Sequence, residues 1–402
     1  MIRDYQINPY SSIKFSTGYI EGVVDFFEKI LSSGIEIKPV LPDKPVILYG
    51  ASSLGKMAEE WFAYNNIPFL YFVDKNAPAL ELGKRGVTDK RIFRPNDHEI
   101  TDDKHNALIL ICCVTSPQIA LMEELRISNW KHIAFFYDMV NSCGFQHPLN
   151  NGWFLERQER NEIKKIRQII GALADDSSRL AYIQLLVWHH SRIELDIEGM
   201  RLNLNDRFFI PEIRNILGDE EVFVDCGSYS GDVLKKFFNI TNGKFKNVYA
   251  IEPDKTNIEK FKFNNIPYAI VLNYAVSSYV GEGKFYGGFG FASRIDQSGN
   301  DMVKVTTIDI LGIPATFIKM HLEGGEMDAL IGSIKTIQRH RPILAVTIYH
   351  NSDAALKLPA YLINNLEDYV YLVRLHSYGG TGAVLYAIPK ERLKRGIDYG
   401  KQ

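Results

Sequence analysis

Residues 224–232, VDCGSYSGD, place a carboxylate at the end of an apolar run and two glycines around the turn that follows. Asp225 ends the run; Gly227 and Gly231 flank the turn, with Cys226, Ser228 and Tyr229 completing it. Glycine lets a backbone turn sharply and approach a ligand closely. The run GDVLKKFF then starts a helix, and its first N–H groups have no intrahelical acceptors. A ligand carboxylate fits such a terminus. Asp225 would accept hydrogen bonds from a ligand amine or from the loop itself. Together these groups suit an amino-acid-like ligand tail. Some 20 residues on, VYAIEPD ends a second strand at Glu252, and Pro253 stops further pairing. A carboxylate there can accept bonds from both hydroxyls of an unphosphorylated ribose. The third strand runs through Ala275 and Val276, small apolar residues that can floor an adenine. The three features in order imply a cofactor that contains a nucleoside.

A second cluster lies at FIKMHLEGGE, residues 317–326. In an open α/β sheet, ligands sit beyond the C-terminal ends of the strands. Strand alternation predicts Lys319, His321 and Glu323 on one face. With Glu326, they are the groups expected to face a reacting centre. His321 suits a base near neutral pH, or a sheet histidine held by hydrogen bonds. Glu323 and Glu326 suit an active-site role, or the cap of the next helix. His350, after the strand PILAVTIYH, is a second candidate base. GGFGFASRID, residues 287–296, reads as a pocket lid carrying Ser293 and Arg294. His376 reads as a sheet or surface histidine.

These groups must be held by elements, and the elements alternate. VILYG, FLYFVD, ALILICCV and HIAFFYD read as strands separated by helices, which predicts a parallel, doubly wound sheet. The segment ERQERNEIKKIRQIIGAL, continued by LAYIQLLVWHH, has helical spacing and one polar face. The alternation resumes at Glu221. The expected organisation is a Rossmann-like α/β domain over 1–150, a helical connector over 151–204 and a second Rossmann-like α/β domain over 205–402. In the first domain, Gly50, Ser52, Ser53 and Gly55 form the loop after a strand, and Asp74 ends the next strand. That is a second candidate nucleotide site, although a full G-x-G-x-x-G is absent.

A formal net charge of -2 argues against the chain-wide basic footprint of a nucleic-acid binder. None of the four cysteines forms a Cys-x-x-Cys pair, so buried thiols in a reducing compartment are expected. The apolar run Ala107 to Val114 falls far short of the ~20 residues that span a bilayer. MIRDYQINPYSS has no apolar signal core. The expectation is a cytoplasmic protein with no membrane span and no nucleic-acid partner. A homo-oligomer is compatible with all of this, and whether a metal takes part is left open.

In order, VFVDCGSYSGD, VYAIEPDKTN, VKVTTIDIL, FIKMHLEGGEMDALIGSIKTI and PILAVTIYH resemble the FkbM-type methyltransferases. The likeness covers roughly residues 205–390. It implies a class I methyltransferase sheet, with S-adenosylmethionine at the strand C-termini. It also implies O-methylation of a small-molecule or glycan acceptor, such as a sugar or a polyketide hydroxyl. Ser293 and Arg294 match the polar loop of that family. The family usually has Asp where this chain has His321, while both glutamates are retained. Two other readings stay open: a nicotinamide-dependent oxidoreductase or a nucleotide-sugar-binding protein using the N-terminal domain, and a non-catalytic scaffold.

Overall fold

The computed structural model describes residues 8–15, 20–77, 91–143, 152, 159–197, 202, 204–263, 268–287 and 293–393. The chain begins with β1 (Ser12–Phe15) and the helix Ile20–Ser32. It then enters a parallel sheet of β2 (Val46–Tyr49), β3 (Phe72–Val73), β4 (Ile92–Phe93), β5 (Leu108–Ile111) and β6 (His132–Phe135). The strand order is β4-β3-β2-β5-β6. Order reverses between β2 and β5, which is the doubly wound pattern expected from the alternation. FLYFVD pairs over only two residues. HIAFFYD becomes a helix after Phe135, running Phe136–Cys143.

The connecting region holds the helices Ile163–Ala172 and Asp176–Ser191, then β7 (Glu194–Ile197), which pairs in parallel with β1. Asp175 caps the second helix by accepting from Ser178 N at 2.7 Å. The same carboxylate pairs with Arg374 at 2.7 Å and so ties the helix to the second sheet.

That sheet contains β8 (Val222–Cys226), β9 (Asn247–Ile251), β10 (Ala269–Leu272), β15 (Phe317–Met320), β16 (Ile343–Thr347), β17 (Tyr369–Leu375) and β18 (Ala383–Pro389). Its order is β10-β9-β8-β15-β16-β18-β17, with β18 antiparallel to both neighbours. The third strand expected from the sequence splits. After Leu272 the chain leaves this sheet, and β11 (Ala275–Val276) joins β12 (Gly281–Tyr286), β13 (Arg294–Ile295) and β14 (Asp301–Thr306) in a sheet ordered β11-β14-β12-β13. Asn273 Nδ2 bonds the carbonyls of Glu252 and Pro253 at 3.0 and 2.9 Å where the chain turns away.

Each face of the seven-stranded sheet has its own core. Phe223, Phe237, Phe317 and Tyr386 lie on one side. Val222, Val224, Ile318 and Met320 lie on the other, in one cluster with Ile166, Ile183, Val23 and Phe27. The helix Ile20–Ser32 thus packs with the connector and the second sheet, away from the core of the first sheet. All four cysteines are free thiols. No helix among the described residues is long and apolar enough to cross a membrane.

A buried ion pair joins the first sheet's last helix to the connector. Arg192 Nε lies 2.8 Å from Asp138 Oδ1, and both side chains are almost fully buried. Tyr10 donates to the other oxygen of Asp138 at 2.9 Å. Removing one member of such a pair strands the other charge, at a cost of about 3–5 kcal/mol. Arg192→Ala should therefore shift urea unfolding to markedly lower denaturant. A variant as resistant as the parent would show that the clasp adds nothing to stability.

Candidate active site

β8 and β15 are parallel neighbours in register, with Phe317 beside Phe223 and Lys319 beside Asp225. Alternation therefore puts Lys319 and Asp225 on the same face. Lys319 Nζ reaches Asp225 Oδ1 at 2.7 Å, the Gly227 carbonyl at 2.9 Å and the Cys226 carbonyl at 3.4 Å. The pair is sealed, with side-chain exposures of 1% and 0%. The other carboxylate oxygen of Asp225 has no partner among the described residues.

The loop above this pair is wound left-handed at Gly227, Tyr229 and Gly231, at φ 76°, 50° and 85°. Gly227 has a second constraint. A Cβ there would stand 2.1 Å from the His321 carbonyl oxygen, so no side chain fits. Gly231 caps the helix Asp232–Ile240. Glu252 closes the loop from the neighbouring strand. Its Oε2 accepts from Tyr229 N at 2.8 Å, and its Oε1 accepts from Asp254 N at 3.0 Å and Asn257 Nδ2 at 3.3 Å. A carboxylate has about four acceptor sites, so room remains for one ribose hydroxyl. Burial raises the Glu252 pKa.

A cavity of about 460 Å³ opens above these strand ends. Gly227, Tyr229, Glu252, Pro253, Ala275 and Val276 are among the residues that line it. Asp225, Cys226, Ser228 and Gly231 do not line it. Asp225 and Gly231 support the loop, the Cys226 thiol is in the core, and the Ser228 hydroxyl is buried. Ser293, Arg294, His321, Glu323 and Asn351 line the same cavity. Lys319 is not on the wall, because its ammonium is committed to Asp225 and the loop. The other residues of the lid expected over 287–296 include 288–292, which lie outside the described residues.

Strand alternation does not bring the second cluster together, since β15 ends at Met320. A turn does so, with Glu323 held at φ 50°. His350 likewise lies beyond the end of its strand, which stops at Thr347. His321 Nε2 is 3.1 Å from Glu323 Oε1, and His350 Nε2 is 3.6 Å from the same oxygen. His350 Nδ1 is 2.7 Å from Glu326 Oε1. Glu326 does not line the cavity. It accepts from Leu322 N, Gly324 N and the Thr347 hydroxyl at 2.9, 3.0 and 2.8 Å. It thereby fixes the turn that carries His321 and Glu323.

Burial, with the charges of Arg207, His350 and Lys319, holds His321 well below the usual histidine range. Burial and the Glu326 charge push Glu323 up to about 7, against the pull of His350 and Arg207. Burial works to lower His350, but the two glutamates outweigh it and raise its pKa. Burial also works to raise Glu326, but His350 and the hydrogen bonds it accepts bring it below the ordinary value.

Ser293 Oγ donates to Asp254 Oδ2 at 3.1 Å. Arg294 is held by Asp296 through Nε and Nη2 at 3.2 and 2.9 Å, while its Nη1 has no partner among the described residues. His376 bonds Tyr386 and Asp206 within the fold, as a sheet histidine does. Sequence reasoning missed Asn257, Asn351, Tyr349 and Arg207. Arg207 Nη2 donates to the Tyr349 hydroxyl at 2.9 Å, and that hydroxyl lies 3.5 Å from His321 Nε2. Only the polar run after Thr347 hinted at Tyr349 and Asn351.

The N-terminal sheet repeats part of this design. A Cβ on Gly50 would lie 2.7 Å from the Cys112 carbonyl oxygen, and one on Gly55 would lie 2.1 Å from the Gly50 carbonyl oxygen. Asp74 accepts from Ala51 N at 2.9 Å and Asn76 N at 2.7 Å. Ser52 and Ser53 are exposed, and Ser52 makes no side-chain cap.

Residues 225–373 match the family model described as Methyltransferase FkbM domain. Among solved structures, the methyltransferase FkbM from Methylobacillus flagellatus KT resembles 92% of this chain and 98% of its own, at 20% identity and a TM-score of 0.61. The shared fold therefore takes in both sheets. An rRNA methylase from Streptococcus thermophilus matches 44% of this chain and 90% of its own, at 18% identity and a TM-score of 0.29. A precorrin-6y C5,15-methyltransferase from Geobacter metallireducens GS-15 matches 44% and 88%, at 11% identity and a TM-score of 0.28. Neither carries weight here. No curated protein matches the sequence.

Glu252→Ala should weaken S-adenosylmethionine binding by about tenfold or more, because bonds to a charged acceptor contribute about 1.5–3 kcal/mol each. Titration calorimetry on the folded variant measures this. An unchanged Kd would remove Glu252 from the ribose site.

Proposed function

Given an S-adenosylmethionine-dependent methyltransferase domain of the FkbM type at residues 225–373, we propose that it methylates a hydroxyl oxygen of a sugar, glycan or related natural product. The observation that carries this reading is the shared cavity. One chamber is lined by Glu252 together with His321, Glu323 and Arg294. In the transfer, the acceptor oxygen forms a bond to the methyl carbon as the carbon–sulfur bond breaks. S-adenosylhomocysteine leaves, and the hydroxyl proton passes to the His321 and Glu323 pair. Both groups are proton acceptors, and general-base help of this kind contributes about 10²–10⁴ in rate. Ser293, Asp296, Gln297 and Asn351 add polar groups to the same cavity, which suits an acceptor rich in hydroxyls. Holding the two reactants in line supplies much of the remaining acceleration.

The test is a screen of sugars, glycans and nucleotide sugars with labelled cofactor, read by mass. The expected product is an alkali-stable methyl ether. A label found only on nitrogen or carbon acceptors would overturn the reading. Once an acceptor is known, His321→Ala should lower kcat by about 10²–10⁴. Arg294→Ala should raise the acceptor KM by about tenfold, through loss of a charged donor. The cofactor Kd should stay near the parent value in both. A normal acceptor KM in Arg294→Ala would take that residue out of acceptor binding.

A further inference from the structure

The three groups at the far end of the cavity are two imidazoles and a carboxylate from two different strand ends. The ligand-capable atoms of His321, Glu323 and His350 all lie within 4.8 Å of one another. We propose that they form a binding site for a divalent first-row transition-metal ion.

Three observations support it. First, the spacing is close to what an ion requires. Donors ~2.1 Å from a common ion sit roughly 3.0–3.4 Å apart. Glu323 Oε1 lies 3.1 Å from His321 Nε2 and 3.6 Å from His350 Nε2. Second, two polar atoms in the cluster are buried and lack partners among the described residues: Glu323 Oε2 and His350 Nε2. The His350 side chain is 0% exposed and that of Glu323 only 4%. Buried polar atoms without a partner are costly, and a ligand that satisfies them removes the cost. Third, the outer sphere is in place. With His350 Nδ1 donating to Glu326 at 2.7 Å, Nε2 carries the free lone pair toward Glu323. A metal-ligating histidine almost always donates its other ring N–H to a carboxylate or carbonyl in this way. Glu326 is itself fixed by two backbone N–H groups and by Thr347.

The donor set chooses the class of ion. Magnesium and calcium take oxygen ligands, whereas imidazole suits zinc, iron, cobalt and nickel. The His321 and His350 rings lie stacked, with centroids 5.0 Å apart and planes at 12°. An ion in the plane of both rings requires one ring to rotate. His321, at the cavity wall and the more exposed of the two, is the ring placed to do so. Three protein ligands leave open positions toward the cavity, where an acceptor hydroxyl would bind and be acidified; with His321 Nε2 on the ion, its proton would pass to the unpartnered Glu323 Oε2 rather than to the imidazole. That last role rests on the O-methylation reading; ion binding itself does not.

The test uses the full chain, stripped with a chelator and then titrated with Co²⁺. Visible absorption and equilibrium dialysis report binding without turnover. The expected result is a single Co²⁺ per chain, displaced by Zn²⁺. Glu323→Gln and His321→Asn should each weaken binding by at least about tenfold, the lower end of what losing an outer-sphere partner already costs. Both substitutions preserve shape, and S-adenosylmethionine affinity in each should match the parent, which also confirms folding. No retained Co²⁺, or equal retention by both variants, would overturn the site. Co²⁺ binding without methyl transfer to any hydroxyl would leave the ion site standing and overturn the proposed acceptor chemistry.

Discussion

Lys319 and Asp225 form a buried ion pair between two adjacent parallel strands, and the ligand-facing end of the second sheet depends on it. Taking both charges out of water is expensive, and only close geometry with further hydrogen bonds offsets that cost. The Gly227 and Cys226 carbonyls supply those bonds. The ammonium therefore pins the 225–231 loop to the strand that ends beside His321. Gly227 sets the same contact from the other side, because its missing side chain lets the loop rest on the His321 carbonyl. The 225–231 loop and the turn that carries His321 and Glu323 thus meet at one junction.

That junction lies where the strand order reverses, between β8 and β15. The N-terminal sheet reverses between β2 and β5 and uses the same devices: a glycine against the opposite strand's carbonyl, and a carboxylate reaching back to the loop. There, both oxygens of Asp74 accept from nearby backbone. The two halves also share structure. Arg192 and Asp138 clasp the connector to the first sheet's last helix, and the helix Ile20–Ser32 fills the core beneath the second sheet. Tyr64 of the first domain lies 3.5 Å from Tyr286, on the hairpin whose far strand carries Arg294.

Much of this was legible in the residues. The loop at 225–231 and Glu252 follow a strand, turn, helix and strand pattern that local spacing reveals. The Lys319 pairing was hidden, because it depends on which strand becomes the neighbour of β8. Lys319 read as facing the reacting centre for that reason. The link from Glu326 to His350 spans 24 residues and joins two strand ends, so periodicity carries no trace of it. The turn at Glu323 ended the alternation that seemed to align three side chains. The break after Leu272 was equally hidden, since Ala275 and Val276 continue an apolar strand pattern in a different sheet.

A crystal structure of the full chain with S-adenosylhomocysteine tests the central claim most directly. The account predicts a ribose hydroxyl on Glu252, the adenine against Ala275 and Val276, and the sulfur facing His321 and Glu323. Cofactor density at the N-terminal loop of Ala51 and Asp74, or a sulfur turned away from the His321 turn, would contradict it.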